Sequence, residues 1–106
     1  MKGDRLGEFE ELLLLAVQAL GDVTYGVPVQ QYLERVARRR VAMGAVYAAL
    51  DRLEMKGLVR SAMGEATAER GGKRKRLFSV TPAGRQAVRD ARRVRDRIWQ
   101  AIEDRR

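Results

Sequence analysis

Apolar positions recur at helical spacing in four stretches of the chain and alternate in two short ones, and that pattern divides the sequence. In residues 8–20, Phe9, Leu12, Leu13, Ala16, Val17 and Leu20 share one helical face, with Leu14 and Leu15 to its sides. Acidic residues fill the first turn, as the helix dipole favours, and Gly21 stands at the C-cap position. The stripe is wider than one small domain needs, so this helix is expected to meet its own core and also a partner. A merely well-buried core helix fits the pattern equally.

A second helix is predicted over residues 26–37, opened by Thr24-Tyr25-Gly26, helped by Pro28 in its first turn, and burying Val29, Leu33 and Val36. Arg38, Arg39 and Arg40 follow in the connection. A third helix runs from Met43 to Lys56 and ends at Gly57. Its Val46, Leu50 and Leu53 face the core, which leaves Tyr47, Ala48, Asp51 and Arg52 outward. After Gly57 the period drops to two. Residues 58–63 and 76–80 read as strands, with Phe78 and Val80 on one side and Leu77 and Ser79 on the other. Residues 64–75 form an extended charged loop at the tip of this ribbon, which must lean on the helices because a lone two-stranded ribbon is marginal in water.

Thr81 and Pro82 restart a helix as N-cap and first residue. Ala87, Ala91, Val94, Ile98 and Ala101 then step by 4, 3, 4 and 3, a coiled-coil seam broadened by Val88, Trp99 and Ile102. A helix over 82–104 is roughly 34 Å long at 1.5 Å per residue and outreaches a three-helix core. It calls for apolar cover. The first and last helices of a second subunit are the candidates, giving a dimerisation set of Leu12, Leu15, Ala87, Ala91, Val94, Ile98, Trp99, Ala101 and Ile102. Folding back onto the same chain is the alternative.

The expected fold is therefore mainly α with a small β-hairpin (α+β). Residues 1–81 are expected to form the main unit and residues 82–106 a dimerisation helix, one compact unit with the first. A length of 106 residues suits a single domain. The absence of cysteine and histidine removes thiol nucleophiles, disulfides, zinc sites built from those residues and histidine acid–base chemistry. With no clustered carboxylates and no phosphate-cradling glycine motif either, no enzyme activity and no cofactor are expected. Without an apolar run of membrane-spanning length or a signal-peptide pattern, the expectation is a soluble, cytoplasmic protein with no membrane partner.

Charge sharpens the picture. The net of +8 is spread as −4 over residues 1–34, +8 over 35–80 and +4 over 81–106. A basic centre of this kind points to a polyanion-binding face, with a solvated charged surface as the plainer reading. Helix, helix, helix, strand, long loop, strand is the order of a winged helix-turn-helix, in which the third helix enters a DNA major groove. Arg38, Arg39 and Arg40 at its entry and Lys73, Arg74, Lys75 and Arg76 on the wing then become phosphate contacts. Met43, Gly44 and Tyr47 lie on the reading helix, and Arg52 either touches phosphate or pairs with carboxylates of its own helix.

Several segments together resemble the PadR family of bacterial transcription regulators: "LLLLAVQAL", "YGVPVQQYLE", "GAVYAALDRLEMKGLV" and "RLFSVTPAG". The most specific part is Gly44-x-x-Tyr47-x-x-Leu50-x-x-Leu53-Glu54-x-x-Gly57-Leu58 together with Thr81-x-x-Gly84. A single carboxy-terminal helix is similar to the shorter type within that family. The resemblance implies a homodimeric repressor, dimerised by its last helix, that leaves a palindromic promoter site when a signal molecule binds. Two departures stand out. Ala42 and Met43 replace the Ser or Thr and Pro of many relatives, removing a side-chain N-cap worth about 1 kcal/mol. The start of the reading helix also lacks bidentate base readers, so thymine methyls, Tyr47 and DNA shape are expected to carry the reading, with a half-buried packing residue as the plainer role for Tyr47.

Trp99, the only tryptophan, is placed to help form a slot for a flat hydrophobic effector, or simply to anchor the dimer. A winged-helix RNA- or protein-binding scaffold without operator specificity is the competing function.

Overall fold

A computed structural model describes residues 5–64 and 74–105. The order of elements is α1 (Glu8–Ala19), α2 (Gly26–Val36), α3 (Met43–Met55), β1 (Val59–Met63), β2 (Arg76–Val80) and α4 (Pro82–Asp104). The first three helices end one residue short of their predicted bounds, and Gly21 and Gly57 follow α1 and α3 with φ of 121° and 76°.

The core lies between α1, α2 and α3 and the inner face of the ribbon. Leu13, Leu14, Val17, Val29, Leu33, Val46, Leu50, Leu53 and Phe78 are fully buried. Each such side chain stabilises the fold by about 1.5–3 kcal/mol relative to an exposed one, before its ordering entropy is subtracted. Leu14, expected at the side of the stripe, belongs to this core. Val36, expected on the buried face of α2, is exposed at the helix end.

β1 and β2 pair antiparallel in register from Val59 with Val80 to Met63 with Arg76. Thr24 adds one bridge on the far side of β2, exchanging backbone hydrogen bonds of 3.0 and 2.7 Å with Phe78. Only the inner end of the ribbon is buried, through Val59, Phe78 and Val80.

The turn from β2 into α4 is pinned to the end of α3. Thr81 caps α4 by accepting from the Gly84 amide at 3.0 Å, while its hydroxyl donates to the Gly57 carbonyl at 2.7 Å. Gly84 and Val88 are buried and Ala87 and Ala91 half-buried, so the first three turns of α4 are covered by their own chain. From Arg92 to Arg105 every residue is exposed, including Val94, Ile98, Trp99 and Ile102. Across the gap to α1, Arg95 pairs with Glu11 at 2.8 Å. The projecting helix gives the molecule extents of 60 × 30 × 22 Å.

Candidate nucleic-acid interface

The connection from α2 to α3 is short and strained at one point. Arg38 holds φ 54°, the left-handed region that side chains rarely adopt, and the Arg39 amide then closes the helix end by donating to the Leu33 carbonyl at 3.2 Å. Gln30 ties the far end of the connection, donating to the Val41 carbonyl at 2.7 Å. The three arginines separate in consequence. Arg39 turns back over the Phe9 ring, 5.1 Å from its centroid, and binds both oxygens of Glu8 at 2.9 and 2.8 Å. Arg38 is exposed, and Arg40 stands 91% exposed with Glu34 at 3.8 Å, a geometry worth little in water.

At the start of α3, Ala42 offers no side-chain cap, as its sequence requires. Gly44, Ala45 and Ala48 are exposed, whereas Met43 and Tyr47 are half-buried. Their tips fold over the start of α2. A side-chain carbon on Gly26 would lie 2.6 Å from the Tyr47 Cζ and hydroxyl and 2.9 Å from the Met43 Cε, so the bare glycine makes room for both. The Tyr47 ring also faces Phe78 with centroids 6.2 Å apart. Of the two roles expected for Tyr47, outward reader and half-buried packing residue, the burial matches the second, because α2 supplies a hollow that helical spacing on α3 cannot register.

The wing cations also divide. Arg76 lies between two carboxylates of α3, with Nη1 2.8 Å from Asp51 Oδ1 and Nη2 2.7 Å from Glu54 Oε1, and its guanidinium covers the Phe78 ring at 4.8 Å. Its charge is therefore already matched within the chain, a pairing that the sequence reading did not anticipate. Glu54 Oε2 accepts from the Ser61 hydroxyl at 2.7 Å and the Ser61 amide at 3.2 Å. The Ser61 hydroxyl, together with Arg76, holds the Glu54 carboxyl below its ordinary pKa. Arg52 is likewise committed: its Nε lies 3.4 Å from Glu10 on α1, not against a carboxylate of its own helix.

Arg74 is exposed and donates to the Gly64 carbonyl at 2.7 Å, and the Lys75 ammonium sits 4.2 Å from the centre of the Tyr25 ring. Lys73 lies outside the described residues. Between the wing and the helix starts is an open cleft of about 430 Å³, with Tyr25, Val27, Tyr47 and Met63 giving apolar walls and Arg74 and Lys75 a basic rim. Sequence reasoning missed Tyr25, Asp51 and Glu54. Strand alternation was a usable signal for the last two, since it puts Arg76 on the same face as Phe78, toward α3.

The residues expected to dimerise lie on a separate face. Leu12 is half-buried against the core and Leu15 is exposed beside a groove of about 480 Å³ between α1 and α4. Val88, Glu11, Arg95 and Trp99 line the same groove. Val94, Ile98, Trp99, Ala101 and Ile102 are exposed, and Ala87 and Ala91 are spent mostly within the chain. Among the described residues no helix is long and apolar enough to cross a membrane.

Two helices joined by a tight turn, with an antiparallel ribbon fastened to the second, define a winged helix-turn-helix protein. Residues 14–90 match the model of the transcriptional regulator PadR-like family. The chain belongs to that family, which is one of regulators and not of enzymes. A curated relative, an uncharacterized 37.1 kDa protein in transposon TN4556 of Streptomyces fradiae, is 37% identical over 78 residues. That match takes in 74% of this chain but only 20% of the relative, so the chain spans about a fifth of its length. Among solved structures, a PadR-like transcription factor from Bacteroides fragilis superposes with a TM-score of 0.77 at 19% identity, over 96% of this chain and 93% of that one. Bacillus subtilis PadR in complex with operator DNA superposes at 0.67 and 15%, over 81% of this chain and 47% of that one. Both support the fold.

Proposed function

We propose that the chain is a sequence-specific DNA-binding repressor that acts in the cytoplasm as a homodimer on a palindromic promoter site and is released by a small-molecule signal. The observation that carries this reading is the grouping of cations around the start of α3, with Arg38, Arg40 and Arg74 exposed and Lys75 half-buried. Arg38 and Arg40 stand at its entry, and Arg74 and Lys75 stand on the wing across the cleft. Among the described residues, no carboxylate pairs with Arg38, Arg74 or Lys75. A duplex backbone meets such cations with phosphate oxygens and releases counterions, a sequence-independent gain that positions the protein. The solved complex of Bacillus subtilis PadR with operator DNA supports the same use of this fold here.

Reading falls to the exposed surfaces of Met43, Gly44, Ala45, Tyr47 and Ala48, through thymine methyls and groove shape. The uncovered outer half of α4 supports the dimer, whose two reading helices then address half-sites about one turn, roughly 34 Å, apart. Trp99 beside the α1–α4 groove supports a planar hydrophobic effector, and serves equally as a packing anchor. Because the exposed start of α3 carries no bidentate base reader, a scaffold or RNA-binding role without operator specificity is the second reading.

The deciding experiment sizes the protein in solution and selects bound sequences from random duplex DNA at physiological salt. Enrichment of a palindrome is the expected result. Tight duplex binding with no enriched sequence would favour the second reading.

A further inference from the structure

We propose that Glu54 is the positioning residue of the wing: its single carboxylate ties β1 and β2 to α3 and so sets where Arg74 and Lys75 stand before the start of that helix. The inference rests on the DNA-binding reading above for its consequence, but not for its geometry. Oε2 takes both the hydroxyl and the amide of Ser61, on β1, at 2.7 and 3.2 Å. Oε1 takes Arg76, on β2, at 2.7 Å. The other guanidinium nitrogen of Arg76 goes to Asp51, one turn earlier on α3, at 2.8 Å.

The ribbon needs such a tie because of how its apolar residues are spent. Val59, Phe78 and Val80 sink its inner end into the core, while Ala62 and Met63 at the outer end are exposed. Five residue pairs do not hold a ribbon in water by themselves. The polar clamp at Ser61 and Arg76 takes over where burial stops, and Arg76 lies two residues beyond Arg74 in the chain. A rival use of the same residues is that Arg76 grips phosphate and the two carboxylates merely weaken it. The two uses differ in sign: removing a carboxylate loosens DNA under the first and tightens it under the second.

Ser61→Ala separates the cases cleanly, because it removes a hydroxyl donor without changing any charge. The expected result is about tenfold weaker duplex binding, the size of one hydrogen bond to a charged acceptor. The slope of log K against log salt should also become shallower, by about 0.9 for each wing contact that loses its place. Partial unfolding lowers the apparent affinity without changing that slope. Ser61→Thr keeps the hydroxyl and should restore both quantities. Wild-type affinity and slope in Ser61→Ala, or tighter binding by Glu54→Gln, overturns the proposal. Hydrogen exchange provides a readout free of DNA. The β1 and β2 amides should exchange faster in Ser61→Ala while those of α1 and α3 hold, and unchanged wing protection overturns the clamp. If the wild-type protein bound no duplex, the functional reading would fall and the exchange result would still decide the clamp.

Discussion

The backbone carbonyl of Leu58 sits against Gly84 so closely that no side-chain carbon fits between them, and Val80 Cγ1 stands only 2.7 Å from the same point. This contact joins two segments distant in sequence, Gly57-Leu58 and Thr81-x-x-Gly84. Gly57-Leu58 supplies two carbonyls; Thr81 donates its hydroxyl to one at 2.7 Å and its amide to the other at 3.0 Å, and Gly84 lets the first turn of α4 lie on them. Gly84→Ala must move backbone, not a flexible tip. The expected cost is about 1–3 kcal/mol, as for other overpacked sites, and each kcal/mol lowers the melting temperature by roughly 4–8 °C in a domain this small. Thermal unfolding followed by circular dichroism checks it, and Thr81→Ala, losing a cap, should cost about 1 kcal/mol.

Arg38 links strain to function. An arginine at φ 54° is held there by the need to end α2 and aim the chain into α3, and strain of this kind collects at functional positions. Arg38→Gly relieves the strain and at once deletes a cation that the proposed function sets against phosphate. Stability should stay level or rise by roughly 1 kcal/mol, since glycine's own entropic cost offsets part of the gain. DNA affinity should fall, with the salt slope shallower by about 0.9. The same slope change is expected for Arg40→Ala, Arg74→Ala and Lys75→Ala, and none for Arg39→Ala, whose charge is spent on Glu8. Titrations at four or five salt concentrations read all five variants.

Most of the fold was legible because each element is locally consistent: the predicted bounds of β2 and α4 are those observed, and Thr81 caps α4 as read. The functional face was less legible, for reasons that lie between elements. Met43 and Tyr47 turn inward because Gly26 on another helix leaves a hollow, which no periodicity along α3 reports. The run Lys73 to Arg76 looks uniform in sequence, yet β2 begins only at Arg76, whose place on the Phe78 side of the pleat aims it at Asp51 and Glu54, while Arg74 precedes the strand and is exposed. Charge counting finds a basic region; it does not find which cations are already matched.

Acid should loosen the molecule at two clamps together. Burial raises the pKa of Glu10, but the bonds it accepts from Lys56 at 2.8 Å, from the Gly7 amide at 2.7 Å and from Arg52 outweigh that, and its pKa ends below the ordinary 4.5. Glu54 is shifted in the same direction. A carboxyl whose folded pKa is depressed lends stability that is fully present above its unfolded value and is lost as pH falls through the folded one. The urea midpoint should therefore hold steady from pH 7 to about 5.5 and drop below about 4.5. Glu10→Gln should cost about 1–3 kcal/mol at neutral pH, a lost hydrogen bond to a charged group, and flatten the acid limb. A limb as steep as wild type in that variant would mean that other groups carry the dependence.

The outer half of α4 makes the sharpest claim about assembly. Val94, Ile98, Trp99 and Ile102 are 47%, 58%, 61% and 43% exposed within one chain, along a helix that an isolated segment of its length would hold only marginally in water. Cover by a second copy would answer both difficulties, with the exposed Leu15 of α1 beside the same groove as Trp99. The wild-type protein should sediment at twice its chain mass of 12.0 kDa at micromolar concentration. Ile98→Glu places a charge in the seam and should give the single mass, less helical circular dichroism and a red-shifted Trp99 emission. Arg95→Ala removes an exposed pair with Glu11 and should leave the mass unchanged. A monomeric wild-type protein whose tryptophan already emits as in water would remove the dimer, and with it the need for a two-fold operator.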